Sequence, residues 1–249
     1  MKAIKDNFSA GSANYAAFRP ESPRELYDFL LKEAGTFGTA WDAGTGSGQA
    51  AAVLAAHFPR VYATDVSAEQ LAHAVQHPRI TYRQERAEQS SLLPESVDLV
   101  TVAQAFHWFD FGAFFAEVTR VTRPGALLAV WTYSLLRVDG GVIDELLKNF
   151  YQHTVGPYWD AERRHVDQGY RDITVPFPEI ETPVFHIQGR WTQAELLGYL
   201  RTWSAVKHYQ LSEGEDPVTA LAEKLQSYWP QTAARDIDFP VLMRLFRVK

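Results

Sequence analysis

Cysteine is absent from this chain of 249 residues, so disulfide bonds and thiolate chemistry are excluded. Long apolar runs are also absent, because no stretch approaches the roughly 20 residues of a membrane-spanning helix. The first residues, "MKAIKDNFSAG", lack the apolar core of a signal peptide. These absences lead us to expect a cytoplasmic protein without a membrane span.

Positive charge is also scarce, since 24 Lys and Arg residues face 30 Asp and Glu residues, for a net charge of −6. A nucleic-acid-binding face needs a surplus of basic residues, so no nucleic acid partner is expected. The eight histidines form no convincing ligand cluster, and no metal is predicted. Aromatic residues reach 13%, which indicates either an aromatic-lined pocket or an aromatic-rich core. We expect a monomer or a homodimer.

Strands alternate with helices over about 100 residues of the chain. The predicted strands span residues 39–44, 60–65, 79–85, 96–104 and 126–134, and the predicted helices among them span 49–58, 68–76 and 111–122. This alternation predicts an α/β fold with a doubly wound, Rossmann-like parallel sheet. Such a sheet binds its ligand beyond the carboxyl ends of its strands, so residues that follow strands are the candidate site.

Capping patterns mark helices on either side of this core. Ser22 and Glu25 have the spacing of a capping box, as do Thr192 and Glu195. The last residues, 239–249, are predicted to form a final strand, which would give the sheet an antiparallel edge.

The alternation is lost between these flanking elements, where aromatic residues and proline-rich turns indicate an insertion or a lid. We therefore expect a single domain over 1–249. Its parts would be an N-terminal lid and helix (1–37), a cofactor-binding core (38–135), a substrate-side insertion (136–185) and a C-terminal helix with edge strands (186–249).

The segment "WDAGTGSGQAA" places three glycines at alternate positions after the first strand: Gly44, Gly46 and Gly48. Glycines there allow a sharp turn and a close approach of a ligand to the backbone. A dinucleotide-binding turn has the spacing G-x-G-x-x-G, and here the third glycine comes one residue early. No Lys-Ser or Lys-Thr pair follows, which excludes a nucleoside-triphosphate loop. A turn with only a folding role is the alternative.

An acidic residue, Asp65, ends the second predicted strand, 21 residues beyond Gly44. A carboxylate at this place can accept hydrogen bonds from both hydroxyls of a ribose. The pattern therefore indicates a nucleoside ligand, although a helix N-terminal charge before Ser67 is the simpler alternative.

Four segments in order resemble class I S-adenosylmethionine-dependent methyltransferases. They are "WDAGTGSGQAA", "VYATDVSAEQL", "AEQSSLLPESVDLVTVAQAFHWFD" and "VTRVTRPGALLAVW", which cover about residues 40–132. The flanking "YAAFRPESP" and "GRWTQAELLGYLRTWSAV" are similar to the small-molecule subgroup that resembles trans-aconitate methyltransferase. The resemblance implies a seven-stranded, mostly parallel sheet with an antiparallel last strand and helices on both faces. One departure is Ala126, where the family usually has a second glycine.

The resemblance also implies the cofactor, S-adenosyl-L-methionine, and the residues around it. The positions implied to contact it are Tyr15, Arg19, Asp42, Gly44, Gly46, Asp65, Val66, Ala87, Glu88 and Gln104. Asp65 would hold the ribose, Ala87 and Glu88 the adenine, and Gln104 would lie beside the methionine moiety. Tyr15 and Arg19 would belong to a segment that closes over the cofactor.

The segment "AFHWFD" follows the fourth strand, where the methyl acceptor is expected. His107 is the candidate general base, with a substrate hydrogen bond or a structural role as alternatives. Trp108 is a candidate pocket wall, with simple packing as the alternative. Trp131, Tyr133, Trp203 and His208 are weaker pocket candidates, for which a structural role is the favoured alternative. Arg19 could also pair with an acidic substrate.

These observations together predict methyl transfer from S-adenosylmethionine to a carboxylate or hydroxyl oxygen of a small organic molecule. A carboxylate acceptor needs no general base, whereas a hydroxyl usually does. Two other classes remain open at this point. One is a non-enzymatic module that binds the cofactor or S-adenosylhomocysteine, and the other is an NAD-dependent oxidoreductase, which the glycine spacing disfavours.

Overall fold

The computed structural model describes residues 20–35, 38–138 and 141–248. The predicted N-terminal lid, with Tyr15 and Arg19, lies outside the described residues. The strands are β1 Thr39–Ala43, β2 Arg60–Asp65, β3 Ile80–Gln84, β4 Val97–Ala103, β5 Thr122–Tyr133, β6 Glu179–Ile180, β7 Phe185–Thr192 and β8 Ala234–Arg247. The first four confirm the predicted strands to within a residue at either end.

Helices connect most of these strands. They are α1 Arg24–Ala34, α2 Gln49–Ala55, α3 Ala68–Ala72, α4 Phe111–Val121, α5 Val142–Asn149, α6 Arg163–Asp167, α7 Gln193–Arg201, α8 Ser204–Glu213 and α9 Pro217–Leu225. Short 3₁₀ turns occupy Phe106–Trp108 and Gly156–Tyr158, and a π turn occupies Phe150–Thr154. Among the described helices, none combines the length and the apolar character needed to cross a membrane.

The sheet has the order β3-β2-β1-β4-β5-β8-β6, with β7 also paired to β8. Strands β1 to β5 pair in parallel, and β8 runs antiparallel to β5, β6 and β7. The mostly parallel, doubly wound sheet is therefore confirmed. The described sheet has eight strands rather than seven, because the two-residue β6 adds one. Strand β8 also lies inside the sheet and not at its edge.

Alternate residues of the central strands face opposite layers of helices. Ala40 and Leu99 belong to the core beneath α1 and α2, whereas Trp41 and Val100 belong to the core beneath α4. Both faces of the parallel strands are buried, as expected when helices cover both sides of a sheet. The prediction of helices on both faces is confirmed.

The start of α1 differs from its predicted capping box. Pro23 is the N-cap residue, and Ser22 makes no capping bond. The Ser22 hydroxyl instead accepts a hydrogen bond from the indole nitrogen of Trp131, at 2.9 Å. The serine therefore attaches the start of α1 to β5. The second box, Thr192 with Glu195, is confirmed with both of its hydrogen bonds.

Strand β5 begins four residues before the predicted start, at Thr122 rather than at residue 126. The "RPG" turn is present as an irregularity within the strand, since the β4–β5 register shifts between Val97 and Leu99. Gly125 adopts a left-handed φ of 81°, and its N–H donates to the carbonyl of Val248 at 3.1 Å. Backbone pairing with the end of β8 therefore extends β5 through the turn.

The segment predicted as an insertion or a lid packs into both cores. Ile143 and Phe150 are buried with the C-terminal helices, and Val166 and Tyr170 are buried against the α4 side of the sheet. No described residue of this segment lines the cavity below. The insertion therefore acts on the site through the residues behind the cavity wall.

Phe106 links this packing to the candidate site, because it begins the 3₁₀ turn that carries His107. Its side chain is fully buried. Its ring lies with centroids within 6.3 Å of five other rings, those of Phe109, Phe111, Phe114, Phe115 and Tyr170.

We expect Phe106→Ala to lower the free energy of unfolding by about 3–5 kcal/mol, because it leaves a cavity among these rings. Denaturant unfolding measures the change. Leu93, which is 72% exposed, provides the control, and Leu93→Ala should change stability by less than about 0.5 kcal/mol. Equal effects of the two substitutions would contradict this account of the core.

Candidate active site

A cavity of about 490 Å³ opens at the carboxyl ends of the parallel strands. It lies at the topological switch point between β1 and β4, where ligands bind in open α/β sheets. One end is formed beyond β2 and β3, the middle by the glycine loop, and the other end beyond β4 and β5. The lining includes Asp65, Val66, Glu85 and Ala87 at the first end, Gly44, Thr45 and Gly46 in the middle, and Gln104, Trp108, Phe109 and Tyr133 at the second.

The glycine loop crosses the middle of this cavity in a left-handed conformation. Gly44 has a φ of 69°, which a residue with a side chain rarely adopts. A Cβ atom at Gly44 would also lie 2.6 Å from the Cβ of Ala105. The N–H groups of Gly44 and Thr45 both donate to the carbonyl of Thr64, at 2.8 and 3.0 Å. The loop is therefore held against β2 while its surface stays open to a ligand.

Asp42 supports this loop from below and does not line the cavity. It is 1% exposed. Its carboxylate accepts hydrogen bonds from the hydroxyls of Thr45 at 2.5 Å and Thr101 at 2.7 Å. The Asp42 side chain joins the loop to β4, and its predicted place beside the methionine part of the cofactor stays a prediction. Burial raises the pKa of Asp42 to about 6, although both hydroxyl hydrogen bonds oppose the rise.

Asp65 lies where the sequence predicts, on the cavity wall at the end of β2. One carboxylate oxygen accepts the N–H of Gly46 at 2.8 Å, and the other accepts the N–H of Ser67 at 2.9 Å. Asp65 therefore fixes the glycine loop and the start of α3 from the cavity wall. Its predicted contact with a ribose stays a prediction.

The end of β3 supplies Ala87 to the wall, as predicted, but not Glu88. The Glu88 carboxylate accepts the N–H of Asp110 at 2.8 Å and pairs with Arg86 at 3.3 Å. Glu88 thus holds the start of α4, and its predicted contact with adenine stays a prediction. Glu85 lines the cavity in its place. Its position directly after β3 was the signal in the sequence that could have identified it.

His107 lies behind the cavity wall and does not line it. Its Nδ1 atom is 3.1 Å from the hydroxyl of Tyr170, and its ring centroid is 4.6 Å from that of Trp108. The adjacent Trp108 and Phe109 form the wall itself. The structure thus places Trp108 on the wall and His107 behind it, and the catalytic role of His107 stays a prediction.

Among the remaining predicted wall residues, Tyr133 lines the cavity and the others do not. Trp131 packs edge-on against Tyr27, beneath α1. Trp203 belongs to a separate aromatic group with Phe150 and Tyr199. His208 lies 3.0 Å from the carbonyl of Tyr158. These three positions were predicted from residue type alone, and packing explains each of them.

The charge of the cavity distinguishes between possible ligands. Its described lining includes the acids Glu21, Asp65 and Glu85, and contains no Lys, Arg or His. A pyrophosphate would meet a negative wall there, whereas a sulfonium cation would be stabilised. Within the described ranges, no group of three or more His, Asp or Glu side chains is placed to hold a metal ion.

Comparison with known proteins agrees with this geometry. A family model described as a methyltransferase domain matches residues 41–130. A Dictyostelium discoideum protein named as a methyltransferase is 31% identical, over 96% of this chain and 94% of its own length. A solved structure from Anaeromyxobacter dehalogenans, described as a type II methyltransferase, is 42% identical with a TM-score of 0.86 and covers 93% of this chain and 98% of its own.

A Saccharomyces cerevisiae protein named as an S-adenosylmethionine-dependent methyltransferase is 32% identical, over 70% of this chain and 61% of its own length. The cavity and its glycine loop lie at the switch point of a Rossmann-like sheet. The chain belongs to the class I S-adenosylmethionine-dependent methyltransferases. Its cofactor is S-adenosyl-L-methionine, and the oxidoreductase and non-enzymatic alternatives are set aside.

The buried Asp42 leads to a prediction about pH. Because its pKa is raised from 3.8 to about 6 in the native state, the native state binds this proton more tightly than the unfolded chain does. The stabilisation from this proton is complete below the unfolded pKa and is lost as pH rises through the native one. We expect wild type to lose on the order of 2–3 kcal/mol relative to Asp42→Asn across this interval.

Denaturant unfolding of both proteins at a series of pH values measures this difference in the free energy of unfolding. The contributions of the other acidic groups are the same in both proteins and cancel in the difference. Parallel stability curves for wild type and Asp42→Asn would show that Asp42 titrates normally.

Proposed function

We propose that the protein transfers the methyl group of S-adenosylmethionine to an oxygen of a small organic molecule, with a carboxylate as the favoured acceptor and a hydroxyl as the second. The observation that carries this proposal is the wall of the cavity beyond β4 and β5, where Gln104, Trp108 and Tyr133 meet. This end is apolar and aromatic with one amide. The resemblance to the trans-aconitate methyltransferase subgroup supports the same class of acceptor.

In this proposal the cofactor lies along the cavity with its adenosine at the β2–β3 end. Asp65 binds the ribose hydroxyls, and Val66 and Ala87 flank the adenine. The methionine part crosses the glycine loop at Gly44 and Gly46. This orientation directs the sulfonium methyl toward Gln104 and the acceptor.

The reaction is an in-line displacement at the methyl carbon. An oxygen lone pair of the acceptor forms the new C–O bond while the C–S pair returns to sulfur. A carboxylate and a sulfonium thus become a neutral ester and the thioether of S-adenosylhomocysteine. Alignment of the two reactants in a dry cavity provides most of the catalysis, because no proton has to move.

The position of His107 favours a carboxylate over a hydroxyl. A hydroxyl acceptor requires a general base within hydrogen-bond reach. His107 lies behind Trp108 with its Nδ1 atom directed to Tyr170. The described lining contains no other histidine and no lysine. A carboxylate acceptor is already ionised and therefore needs no base from this wall.

Binding of the cofactor is tested first at Asp65. We expect Asp65→Ala to weaken S-adenosylhomocysteine by about 1.5–3 kcal/mol, the usual loss for hydrogen bonds to a charged group. Titration calorimetry measures it, with Glu69→Ala as the control, because Glu69 is an exposed acid on the neighbouring α3. Undiminished affinity in Asp65→Ala would remove Asp65 from the ribose site.

The acceptor is tested with labelled S-adenosylmethionine against a panel of small carboxylic acids, phenols and amines. We expect label in a base-labile methyl ester of at least one acid. Transfer only to nitrogen, sulfur or carbon would contradict the oxygen assignment.

The role of His107 is tested on whichever acceptor the panel identifies. For a carboxylate, we expect His107→Gln to retain turnover within about tenfold and to keep the pH profile of wild type. A loss of about 10²–10⁴-fold, together with loss of the rise near the histidine pKa, would instead identify His107 as a general base for a hydroxyl.

A further inference from the structure

The amide of Gln104 has an arrangement that nothing above uses. Its Oε1 atom accepts a hydrogen bond from the hydroxyl of Thr132 at 2.8 Å. Its Nε2 atom is buried and has no hydrogen-bond partner in the described part of the chain. Leaving such a donor unpaired costs about 1–3 kcal/mol, and Gln104 lines the cavity. The amide donor is therefore in place for a ligand.

Two further polar side chains lie behind the wall near this amide. Burial raises the pKa of the Tyr170 hydroxyl, and its interaction with Thr132 opposes the rise. The Tyr170 hydroxyl in turn lies 3.1 Å from Nδ1 of His107. The side chains thus lie in the order His107, Tyr170, Thr132 and Gln104.

The bond between Thr132 and Gln104 has a fixed direction, because an amide oxygen can only accept and Thr132 must therefore donate its single hydroxyl hydrogen to Oε1. Both hydrogens of Nε2 are left unused by this bond.

Two residues of this arrangement are held in a left-handed backbone conformation. Gln104 has a φ of 58° and Tyr170 a φ of 62°. Such residues cost about 1–3 kcal/mol and persist where the surroundings determine them. The Gln104 N–H donates to the carbonyl of Trp131 at 2.9 Å, and Arg244 donates to the carbonyl of Tyr170 at 2.6 Å. The backbone thus holds the amide in position.

We propose that Gln104 is the residue that orients the methyl acceptor, by donating its amide hydrogens to an acceptor oxygen. Thr132, Tyr170 and His107 are positioning residues, which keep the donor face of the amide toward the cavity. The proposal rests on the proposed function and deepens it. It gives the insertion a role, since Tyr170 is the insertion's contribution to the site.

The chemistry of this donor selects a class of substrate. A carboxylate can accept a hydrogen bond from Gln104 through one oxygen while the other oxygen attacks the methyl group. A protonated amine carries only hydrogen-bond donors, so its hydrogens would meet the amide hydrogens of Gln104. Binding of such an acceptor is therefore disfavoured. The amide donor is neutral, so it does not compensate the charge of the carboxylate and the oxygen stays nucleophilic. A positively charged arginine in the same place would reduce this nucleophilicity.

The orientation of the amide can be measured without any acceptor. A neutron crystal structure of the complex with S-adenosylhomocysteine locates the hydrogens of Gln104 and Thr132. We expect the Thr132 hydrogen directed to Gln104 Oε1 and both Nε2 hydrogens directed away from Thr132. Nε2 donating to Thr132 would turn the amide carbonyl to the cavity and overturn the proposal.

Two variants then test the donor itself. Gln104→Glu keeps an acceptor for Thr132 and replaces the donor, and Gln104→Met removes the donor without adding charge. For the acids methylated by wild type, we expect kcat/KM to fall by about tenfold or more in both. Affinity for S-adenosylhomocysteine should stay within about threefold of wild type in both.

The proposal would be overturned if the Gln104 variants bound S-adenosylhomocysteine tenfold more weakly while kcat/KM for the acid stayed unchanged. Gln104 would then be a cofactor-binding residue. Tyr170→Phe should raise KM for the acid more than it lowers kcat, because it loosens the amide without removing it. If wild type methylates no acid on the panel, the proposed function fails, while the measured orientation of the Gln104 amide still decides whether it offers a donor to the cavity.

Discussion

Two carboxylates hold the glycine loop, and the geometry of the cavity depends on that support. Asp42 binds the hydroxyl of Thr45 from beneath, and Asp65 binds the N–H of Gly46 from the side of β2. A loop with left-handed glycines has little intrinsic preference for one shape, so these bonds determine it. Asp42 also binds Thr101, its register partner on β4. The loop is thereby fixed to the strands on both sides of β1.

The same sheet separates the cavity into two chemically different ends. Beyond β2 and β3, the carboxylates of Asp65 and Glu85 meet the space where we place the nucleoside. Beyond β4 and β5, Gln104 and the aromatic rings of Trp108 and Tyr133 form an uncharged wall. Strand order alone brings these groups to one edge, and the polarity of the site follows from it.

Patterns local in sequence allowed part of this site to be predicted. Gly44 and Asp65 lie directly after strands whose periodicity is clear, and the structure places both on the wall. His107 and Glu88 also follow strands, but neither lines the cavity, because each side chain is bound to a partner elsewhere. His107 meets Tyr170, 63 residues away, and Glu88 meets the N–H of Asp110. The first pairing depends on the packing of an insertion without a periodic pattern, and the second on how the segment after β3 packs against the start of α4. No residue spacing indicates either pairing.

The central claim is that the cofactor lies along the cavity with its nucleoside at Asp65 and its sulfur toward Gln104. A crystal structure of the complex with S-adenosylhomocysteine tests it most directly. The account predicts ribose hydroxyls within hydrogen-bond distance of both Asp65 oxygens, and the thioether sulfur on the Gln104 side of Gly44. Adenosine bound between Gln104 and Tyr133, or a ribose without contact to Asp65, would contradict it.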